Sequence, residues 1–211
     1  MRLALLKRKI LNYGALCISY IKLLPWLFRL TKNSIVIDCG ANVGHITSYL
    51  SLTGATIYAF EPDPIAFKIL NEKFGNKKNI TCINKGVWDK NTTLKIYRHQ
   101  EMLKETDFTV SSSIVAEKKN VSDQSAIEIE VIDILEFIQK FNKKIDLIKM
   151  DIEGAEIVIL NKIISTDSQT LFKTMYVETH ETKIHSQKEE LKQIKKQLIE
   201  KGITNIKLNW I

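Results

Sequence analysis

The chain has 211 residues, enough to bury the core of one domain, and its 45% hydrophobic and 26% charged residues are those of an ordinary globular protein. All of the formal net charge of +7 lies in residues 1–37, which contain seven basic side chains and no acid, so the rest of the chain is neutral. This distribution argues against a broad nucleic-acid-binding face. The scattered cysteines have no metal-like spacing and are predicted to be buried, reduced thiols in a reducing compartment: Cys17, Cys39 and Cys82.

The N-terminal segment at residues 1–33 is predicted to be a basic, apolar helix, followed by the main domain at residues 34–211. A narrow polar stripe along this helix is formed by Arg8, Asn12, Ala15, Ser19 and Lys22. Pro25 is predicted to interrupt the helix. Charges are too frequent for a membrane span, and no convincing cleavage site indicates a signal peptide. Two interpretations stay open: the helix packs against the protein's own sheet, or it lies on an anionic membrane surface.

Beyond residue 33, strands and helices alternate. The first three strands are predicted from apolar, β-branched runs, which read "SIVIDCG", "TIYAF" and "NITCINKGV". The helix after the second strand has Asp63 as a capping residue and Pro64 in its first position. An additional strand is predicted over "TTLKIYRH", and the polar stretch at residues 99–125 is predicted to be a long loop.

The second half of the chain continues this alternation. Strand and helix follow one another in "IEIEVIDILEFIQKF" and again in "IDLIKMDIEGAEIVILNKI". The last elements are a strand, a surface helix and a strand, over "TMYVETH", "SQKEELKQIKKQLIEKG" and "ITNIKLNWI". This order predicts an α/β fold with a Rossmann-like, doubly wound, mostly parallel sheet and helices on both faces. Ligands of such sheets bind beyond the carboxyl ends of the strands, where the strand order reverses.

The stretch "IVIDCGANVG" joins a buried strand to a carboxylate and a turn with very small side chains. Asp38 is predicted to stand at the carboxyl end of the first strand, where the crevice opens. Gly40 and Gly44 permit a tight turn and a close approach of the backbone to a ligand. Glu61 ends the second strand, a position from which an acid accepts hydrogen bonds from ribose hydroxyls. The pattern therefore indicates a ligand that contains a ribose.

Two ligands of this kind are distinguished by the details of the turn. A dinucleotide favours a G-x-G-x-x-G loop with no carboxylate beside its pyrophosphate. Here the loop reads G-A-N-V-G with Asn42 at its centre, and Asp38 would repel a phosphate but pair with an α-ammonium group. S-adenosylmethionine supplies this ammonium, a carboxylate for the loop amides and a ribose for Glu61. A nicotinamide-dependent oxidoreductase is the alternative. Close approach to adenine is expected at Gly86.

Four blocks of the sequence resemble, in order, the signature of the FkbM-type class I methyltransferases: "VIDCGANVG", "AFEPDP", "DLIKMDIEGAE" and "VETH". The resemblance covers roughly residues 35–180, and the third block is its most specific part. It implies methyl transfer from S-adenosylmethionine, typically to a hydroxyl of a sugar or another glycan-related or secondary-metabolite substrate. A class I methyltransferase normally has a seventh, antiparallel strand, whereas the last strand predicted here is the sixth. The C-terminal strand region therefore looks truncated.

The block "KMDIEGAE" places several acids around the end of the fourth core strand. Asp151 is predicted at the end of that strand, Glu153 in the turn, and His180 at the end of the next strand on the same rim; these three are the candidates for a general base. Lys149 would pair with the carboxylates, and Glu156 suits either a first helical turn or a site role. The acids could instead hold Mg²⁺, but metal-free catalysis is favoured because the sequence shows no coordination geometry.

A third interpretation, from a different class of protein, is a catalytically silent binding module. It would keep the cofactor pocket and dock on a membrane through residues 1–30. For the leading interpretation, an O-methyltransferase, the expected partners are a small-molecule or glycan acceptor and no nucleic acid. The protein is expected to be cytoplasmic, at the inner face of the membrane if the helix docks there.

Overall fold

The computed structural model of the chain describes residues 2–99, 121–180 and 187–210. Its helices are α1 (Arg2–Arg29), α2 (His45–Ser51), α3 (Pro64–Phe74), α4 (Ile134–Gln139), α5 (Glu156–Ser165) and α6 (Gln187–Glu200). Its strands are β1 (Ile35–Cys39), β2 (Thr56–Phe60), β3 (Ile80–Ile83), β4 (Gly86–Trp88), β5 (Thr92–His99), β6 (Val121–Asp133), β7 (Leu147–Met150), β8 (Met175–Val177) and β9 (Ile206–Lys207).

The main sheet has six strands in the order β3-β2-β1-β7-β8-β9, and every neighbouring pair is parallel. The chain builds outward from β1 to β3 and then returns to the other side of β1 with β7. The strand order therefore reverses between β1 and β7, which is where a doubly wound sheet opens its ligand crevice. The predicted Rossmann-like α/β fold is confirmed.

Helices cover both faces of this sheet, because neighbouring side chains along a strand point to opposite faces. Val36 and Leu147 share one core with residues of α1, α2 and α3. Ile37 and Ile148 share the other core with residues of α4, α5 and α6. The capping of α3 follows the prediction, since the side chain of Asp63 accepts hydrogen bonds from the first backbone amides and Pro64 opens the helix.

Helix α1 packs against the domain, as one of the two interpretations proposed. Leu23, Trp26 and Leu30 are buried in the same core as Val36. The predicted interruption at Pro25 is wrong, because the helix continues to Arg29. Proline removes one backbone hydrogen bond, but buried side chains on both sides of it hold the helix onto the sheet. Within the described residues, no helix is long and apolar enough to cross a bilayer.

A second, three-stranded sheet in the order β4-β6-β5 lies beside the main one. The run predicted as the third strand is divided between the two sheets, with β3 in the first and β4 in the second. Strands β5 and β6 form an antiparallel pair around a small core of Ile96, Ile129 and Val131. The loop predicted at residues 99–125 is partly wrong, since β6 begins at Val121; residues 100–120 lie outside the described part of the chain.

The far edge of the main sheet is formed by β9, which pairs in parallel with β8. No antiparallel strand joins this sheet within residues 2–99, 121–180 and 187–210. Beyond β9, the backbone amide of Trp210 donates a hydrogen bond to the carbonyl of Val177 at 3.2 Å. The indole is buried and lies against the ring of Tyr176, with 5.6 Å between the ring centroids. Trp210 therefore continues the backbone pairing with β8 beyond the end of β9.

Candidate active site

A cavity opens over the carboxyl ends of β1, β2 and β7, next to the small sheet. Six of the nine predicted site residues line it: Gly40, Asn42, Glu61, Gly86, Asp151 and Glu153. The other three, Asp38, Gly44 and His180, are not among the lining residues. The strand order brings together residues from four separate stretches of the chain, at the crevice that the sequence predicted.

The turn after β1 requires glycine at two positions for different reasons. Gly40 has φ +74°, and a Cβ atom there would lie 1.9 Å from the carbonyl oxygen of Asp151. Gly44 has φ +85°, and its Cβ would lie 2.5 Å from the ring of Phe74. Glycine at residue 40 therefore lets β1 and β7 approach at the cavity, whereas glycine at residue 44 lets α2 and α3 pack.

Asp38 is fully buried and paired with a lysine. Its Oδ1 lies 3.3 Å from Nζ of Lys149, and its Oδ2 accepts a 2.7 Å hydrogen bond from the hydroxyl of Thr47. The register of the sheet sets this pair, because Asp38 and Lys149 lie side by side on β1 and β7. Asp38 is not among the residues that line the cavity, and its contact with an α-ammonium group stays a prediction.

Lys149 links this buried pair to the cavity. Its ammonium donates a 2.7 Å hydrogen bond to the carbonyl of Gly40 and lies 3.7 Å from the carboxylate of Asp151. Burial alone would lower the pKa of Lys149, but the charges of Asp38 and Asp151 outweigh it and raise that pKa. The lysine therefore stays charged, and it holds the ends of β1 and β7 together.

Glu61 ends β2 and presents its carboxylate to the cavity. The two oxygens accept hydrogen bonds from the backbone amides of Asn42 and Asp63, both at 2.8 Å. Burial raises the pKa of Glu61 to about 7, although these two amides act in the opposite direction. The side chain is therefore fixed in place, and it changes charge near neutral pH.

Glu156 organises the turn between β7 and α5, a role that the sequence analysis missed. Its carboxylate is buried and accepts 2.9 Å hydrogen bonds from the backbone amides of Ile152 and Gly154. The turn holds Glu153 at φ +57°, in the left-handed region that costs a non-glycine residue roughly 1 kcal/mol or more. An acid two residues after a glycine and in the first helical turn is the local signal that could have indicated this role.

His180 lies in a cluster of acids behind the cavity and is 2% exposed. Its Nε2 is 3.2 Å from Glu153, 3.7 Å from Asp151 and 3.8 Å from Glu178, and its Nδ1 is 3.1 Å from Glu156. Burial acts to lower the pKa of His180, but the acids, Glu156 above all, raise it to about 9. The imidazole is therefore protonated at neutral pH and cannot take a proton in that state.

The two predicted acids at the cavity differ from His180 in this respect. Asp151 and Glu153 both line the cavity. Burial raises the pKa of Asp151 despite the nearby Lys149 ammonium, and the carboxylate of Glu153 adds to the rise. A carboxylate with a raised pKa is a stronger base, and both acids face the cavity whereas His180 does not line it.

The predicted burial of the three cysteines is only partly right. Cys39 is buried at the end of β1, Cys82 is half-buried and Cys17 is exposed on α1; all three are free thiols. Burial raises the pKa of Cys39 and of Cys82, so neither is activated as a nucleophile.

The fold and the cavity together define a Rossmann-like protein that binds a ribose-containing cofactor at its switch point. The family model described as "Methyltransferase FkbM domain" matches residues 38–202, so the chain belongs to this family. Its cofactor is S-adenosylmethionine. The carboxylate of Glu61 in the cavity fits this cofactor, because it can accept hydrogen bonds from a ribose. The alternative of a nicotinamide-dependent oxidoreductase is therefore wrong.

Two curated relatives are also named as methyltransferases. The chain is 25% identical over 188 residues to methyltransferase sdnD of Sordaria araneosa, covering 72% of this chain and 69% of the relative. It is 25% identical over 143 residues to methyltransferase 1 of Beauveria bassiana, covering 61% of this chain and 57% of the relative. The chain thus spans little more than half the length of the second relative.

A solved structure of the precorrin 8W decarboxylase of Methanobacterium thermoautotrophicum is 18% identical, with a TM-score of 0.40 over 82% of this chain and 68% of that one.

Proposed function

We propose that this protein transfers the methyl group of S-adenosylmethionine to a hydroxyl of a glycan, a sugar or a small hydroxylated metabolite. The observation that supports this most directly is that Asp151 and Glu153 line the same cavity as Glu61 and Gly40. When bound, the cofactor supplies an electrophilic methyl group on a sulfonium. The cavity adds carboxylates beside it that can accept the proton of an attacking hydroxyl.

The proposed roles follow from position. Glu61 and the turn from Gly40 to Asn42 hold the cofactor, and Asp151 and Glu153 face the acceptor. Alignment of two reactants contributes roughly 7–11 kcal/mol to such a displacement. A positioned base adds about 10²–10⁴-fold. His180 and Glu156 act indirectly, because they are buried behind the two acids and fix the turn that carries Glu153.

The first prediction concerns the acceptor and the base. We expect label from methyl-labelled S-adenosylmethionine to enter hydroxylated acceptors from a panel of sugars, oligosaccharides and polyols, and not RNA or DNA. Asp151→Asn and Glu153→Gln should lower the transfer rate by about 10²–10⁴-fold, while cofactor affinity stays within a few-fold. Glu189→Gln, an exposed acid on α6, is the matched control. Transfer to amines alone, or full activity of both variants, would contradict the proposal.

The N-terminal helix supports a second proposal, peripheral contact with an anionic membrane. The face of α1 that does not pack against the domain is also apolar, with exposed side chains at Tyr13, Ile18, Ile21, Leu24 and Phe28. From Ile18 to Phe28 the spacings are three, three and four residues, which places these four side chains along one side of the helix. Arg29 and Lys32 are exposed at its end, and residues 1–37 contain no acid. An apolar face with basic neighbours matches the chemistry of an anionic bilayer surface.

Vesicle sedimentation tests this contact. Deleting α1 would also remove Leu23, Trp26 and Leu30 from the core, so surface variants are the better probe. We expect Ile21→Ser/Phe28→Ser to weaken binding to phosphatidylserine-containing vesicles by at least about tenfold, because two apolar side chains lose their burial in the bilayer. The matched control is Leu52→Ser/Ile199→Ser, since these exposed apolar residues lie outside α1. If both double variants pellet equally with the vesicles, the membrane proposal is contradicted.

A further inference from the structure

We propose that Lys149 is a positioning residue for methyl transfer, because its ammonium group fixes the carboxylate of Asp151 against the turn at Gly40 that holds the cofactor. This role rests on the proposed O-methyl transfer, since it assigns the proton of the acceptor hydroxyl to Asp151. It is distinct from the contribution of an ion pair between β1 and β7 to the stability of the fold.

The ammonium of Lys149 contacts residues that line the cavity and residues that do not. It donates hydrogen bonds to the carbonyls of Gly40 at 2.7 Å and of Cys39 at 3.3 Å. It also lies 3.3 Å from the carboxylate of Asp38 and 3.7 Å from that of Asp151. Gly40 and Asp151 line the cavity. One buried charge therefore contacts the cofactor turn and the proposed base at the same time.

The main chain connects the same two places. The backbone amide of Asp151 donates a 3.1 Å hydrogen bond to the carbonyl of Cys39. The backbone at Gly40 is so close that a Cβ atom there would lie 1.9 Å from the carbonyl oxygen of Asp151. The ends of β1 and β7 are thus in contact both through the backbone and through Lys149. Such contacts hold the cofactor turn at a fixed distance from Asp151, and alignment of two reactants depends on this distance.

Stability alone does not explain a lysine at this position. Strand β7 is buried along its whole length, and its other three residues are apolar. Replacement of a buried ion pair by well-packed apolar residues is often neutral or stabilising. Asp38 already balances the charge of Lys149, so an ion pair has no need of the contacts with Gly40 and Asp151. A role in the reaction accounts for these two contacts.

The charge of Lys149 also acts on the proton affinity of Asp151. Charged groups face this carboxylate from β7, the turn after it, α5 and the segment after β8: Lys149, Glu153, Glu156, Glu178 and His180. Burial raises the pKa of Asp151, and Glu153 and Glu156 add to the rise. Lys149 opposes this rise more strongly than His180 does. The ammonium therefore keeps the ionised carboxylate, which is the form that accepts a proton, populated to lower pH.

The proton transfer follows from this arrangement. The acceptor oxygen forms a bond to the methyl carbon as the bond from carbon to sulfur breaks, and the sulfur leaves as a neutral thioether. The proton of the hydroxyl passes to the carboxylate of Asp151. Lys149 itself exchanges no proton, because it stays charged throughout.

A double-mutant cycle on kcat tests the positioning role. Lys149→Met alone would leave the buried Asp38 without its partner, so both are replaced in Asp38→Asn/Lys149→Met. We expect this double variant to lower kcat by at least about tenfold, and Asp151→Asn to cost at least about tenfold less in it than in the unmodified protein. The matched control is Asp133→Asn/Lys162→Met, which removes an ion pair away from the cavity lining. In this control Asp151→Asn should keep its full cost.

The pH profile of kcat at saturating S-adenosylmethionine is a second measurement, one that a general loss of packing would not move. The acidic limb should lie at higher pH in Asp38→Asn/Lys149→Met, because no ammonium favours the ionised form of Asp151. If this double variant does not fold, Lys149→Arg carries the cycle. It keeps the charge beside Asp38, but a guanidinium presents its donors in a planar fork and not at one point.

The outcomes separate this role from the proposed function. If Asp151→Asn costs the same in both backgrounds, or costs nothing in a protein that methylates a hydroxyl, the positioning role is overturned and the proposed function stands. If no hydroxyl is methylated, the proposed function fails. Carbon-13 NMR titration of the Asp151 carboxyl, assigned with Asp151→Asn, then decides without turnover. A midpoint that rises in Asp38→Asn/Lys149→Met supports control of Asp151 by Lys149, and an unchanged midpoint overturns it.

Discussion

The substitution Asp38→Asn is expected to lower the free energy of unfolding by about 3–5 kcal/mol, because it leaves the buried ammonium of Lys149 without its main partner. Asp38 is fully buried, and the lysine side chain is 3% exposed, so water cannot replace the lost carboxylate. Chemical denaturation with two independent probes measures the effect. The expected loss is a large part of the stability of a typical domain.

A double variant separates the ion pair from simple damage to packing. Asp38→Asn/Lys149→Met removes the buried ammonium together with its main partner, and the part-exposed Asp151 is the only ion-pair partner that it leaves among the described residues, so the double variant should be more stable than Asp38→Asn alone. The surface pair of Glu189 and Lys192 is the comparison, since both side chains are well exposed, and Glu189→Gln should cost less than about 1 kcal/mol. Two results would contradict a stabilising ion pair between Asp38 and Lys149. One is a double variant that is no more stable than Asp38→Asn, and the other is a loss below about 1 kcal/mol for Asp38→Asn.

Glu61→Gln is expected to weaken binding of S-adenosylmethionine by about 100-fold. The carboxylate lines the cavity and can accept charge-assisted hydrogen bonds from the ribose hydroxyls, each worth roughly 1.5–3 kcal/mol. The amide also places an NH₂ group where the backbone amides of Asn42 and Asp63 now donate. Isothermal titration with S-adenosylmethionine measures the loss, and NAD should bind to neither protein.

The same carboxylate predicts a pH dependence. Burial raises the pKa of Glu61 to about 7, and only the ionised form is a full acceptor, so cofactor affinity should increase as pH rises from 6 to 8. The ligand-free protein should show the opposite trend in stability from this group. Glu61 binds a proton more tightly in the folded protein than in the unfolded chain. The contribution of this proton to the free energy of unfolding is therefore lost as pH rises through about 7. In Glu61→Gln the affinity should be independent of pH over this range; a parallel rise would refute the assignment.

Local sequence signals were sufficient for most elements of the fold and for the position of the crevice. The strands follow short β-branched runs, and α3 begins where Asp63 and Pro64 indicate. The glycine turn and Glu61 lie at the cavity because both follow directly from strand ends, which a parallel sheet brings to one edge. Such signals depend on neighbours within a few residues, so they can be read without knowledge of the rest of the chain.

The partners of the charged residues were decided by tertiary structure alone. Asp38 and Lys149 are 111 positions apart, and only the register of β1 with β7 sets them side by side. That register gives Asp38 a buried ion pair with Lys149, which the sequence predicted only as a pairing of the lysine with the acids around its own strand. His180 likewise ended among the acids of the preceding turn because β8 pairs with β7.

The sequence by itself determined the class of fold, the family and the edge of the sheet where the cavity lies, because periodicity, caps and short motifs are local properties. Tertiary structure decided which of the candidate acids meet the cavity, how α1 continues past Pro25, and that this helix is apolar on its exposed face as well as its buried one. These features depend on strand register and on packing between segments distant in sequence. Local patterns do not contain that information.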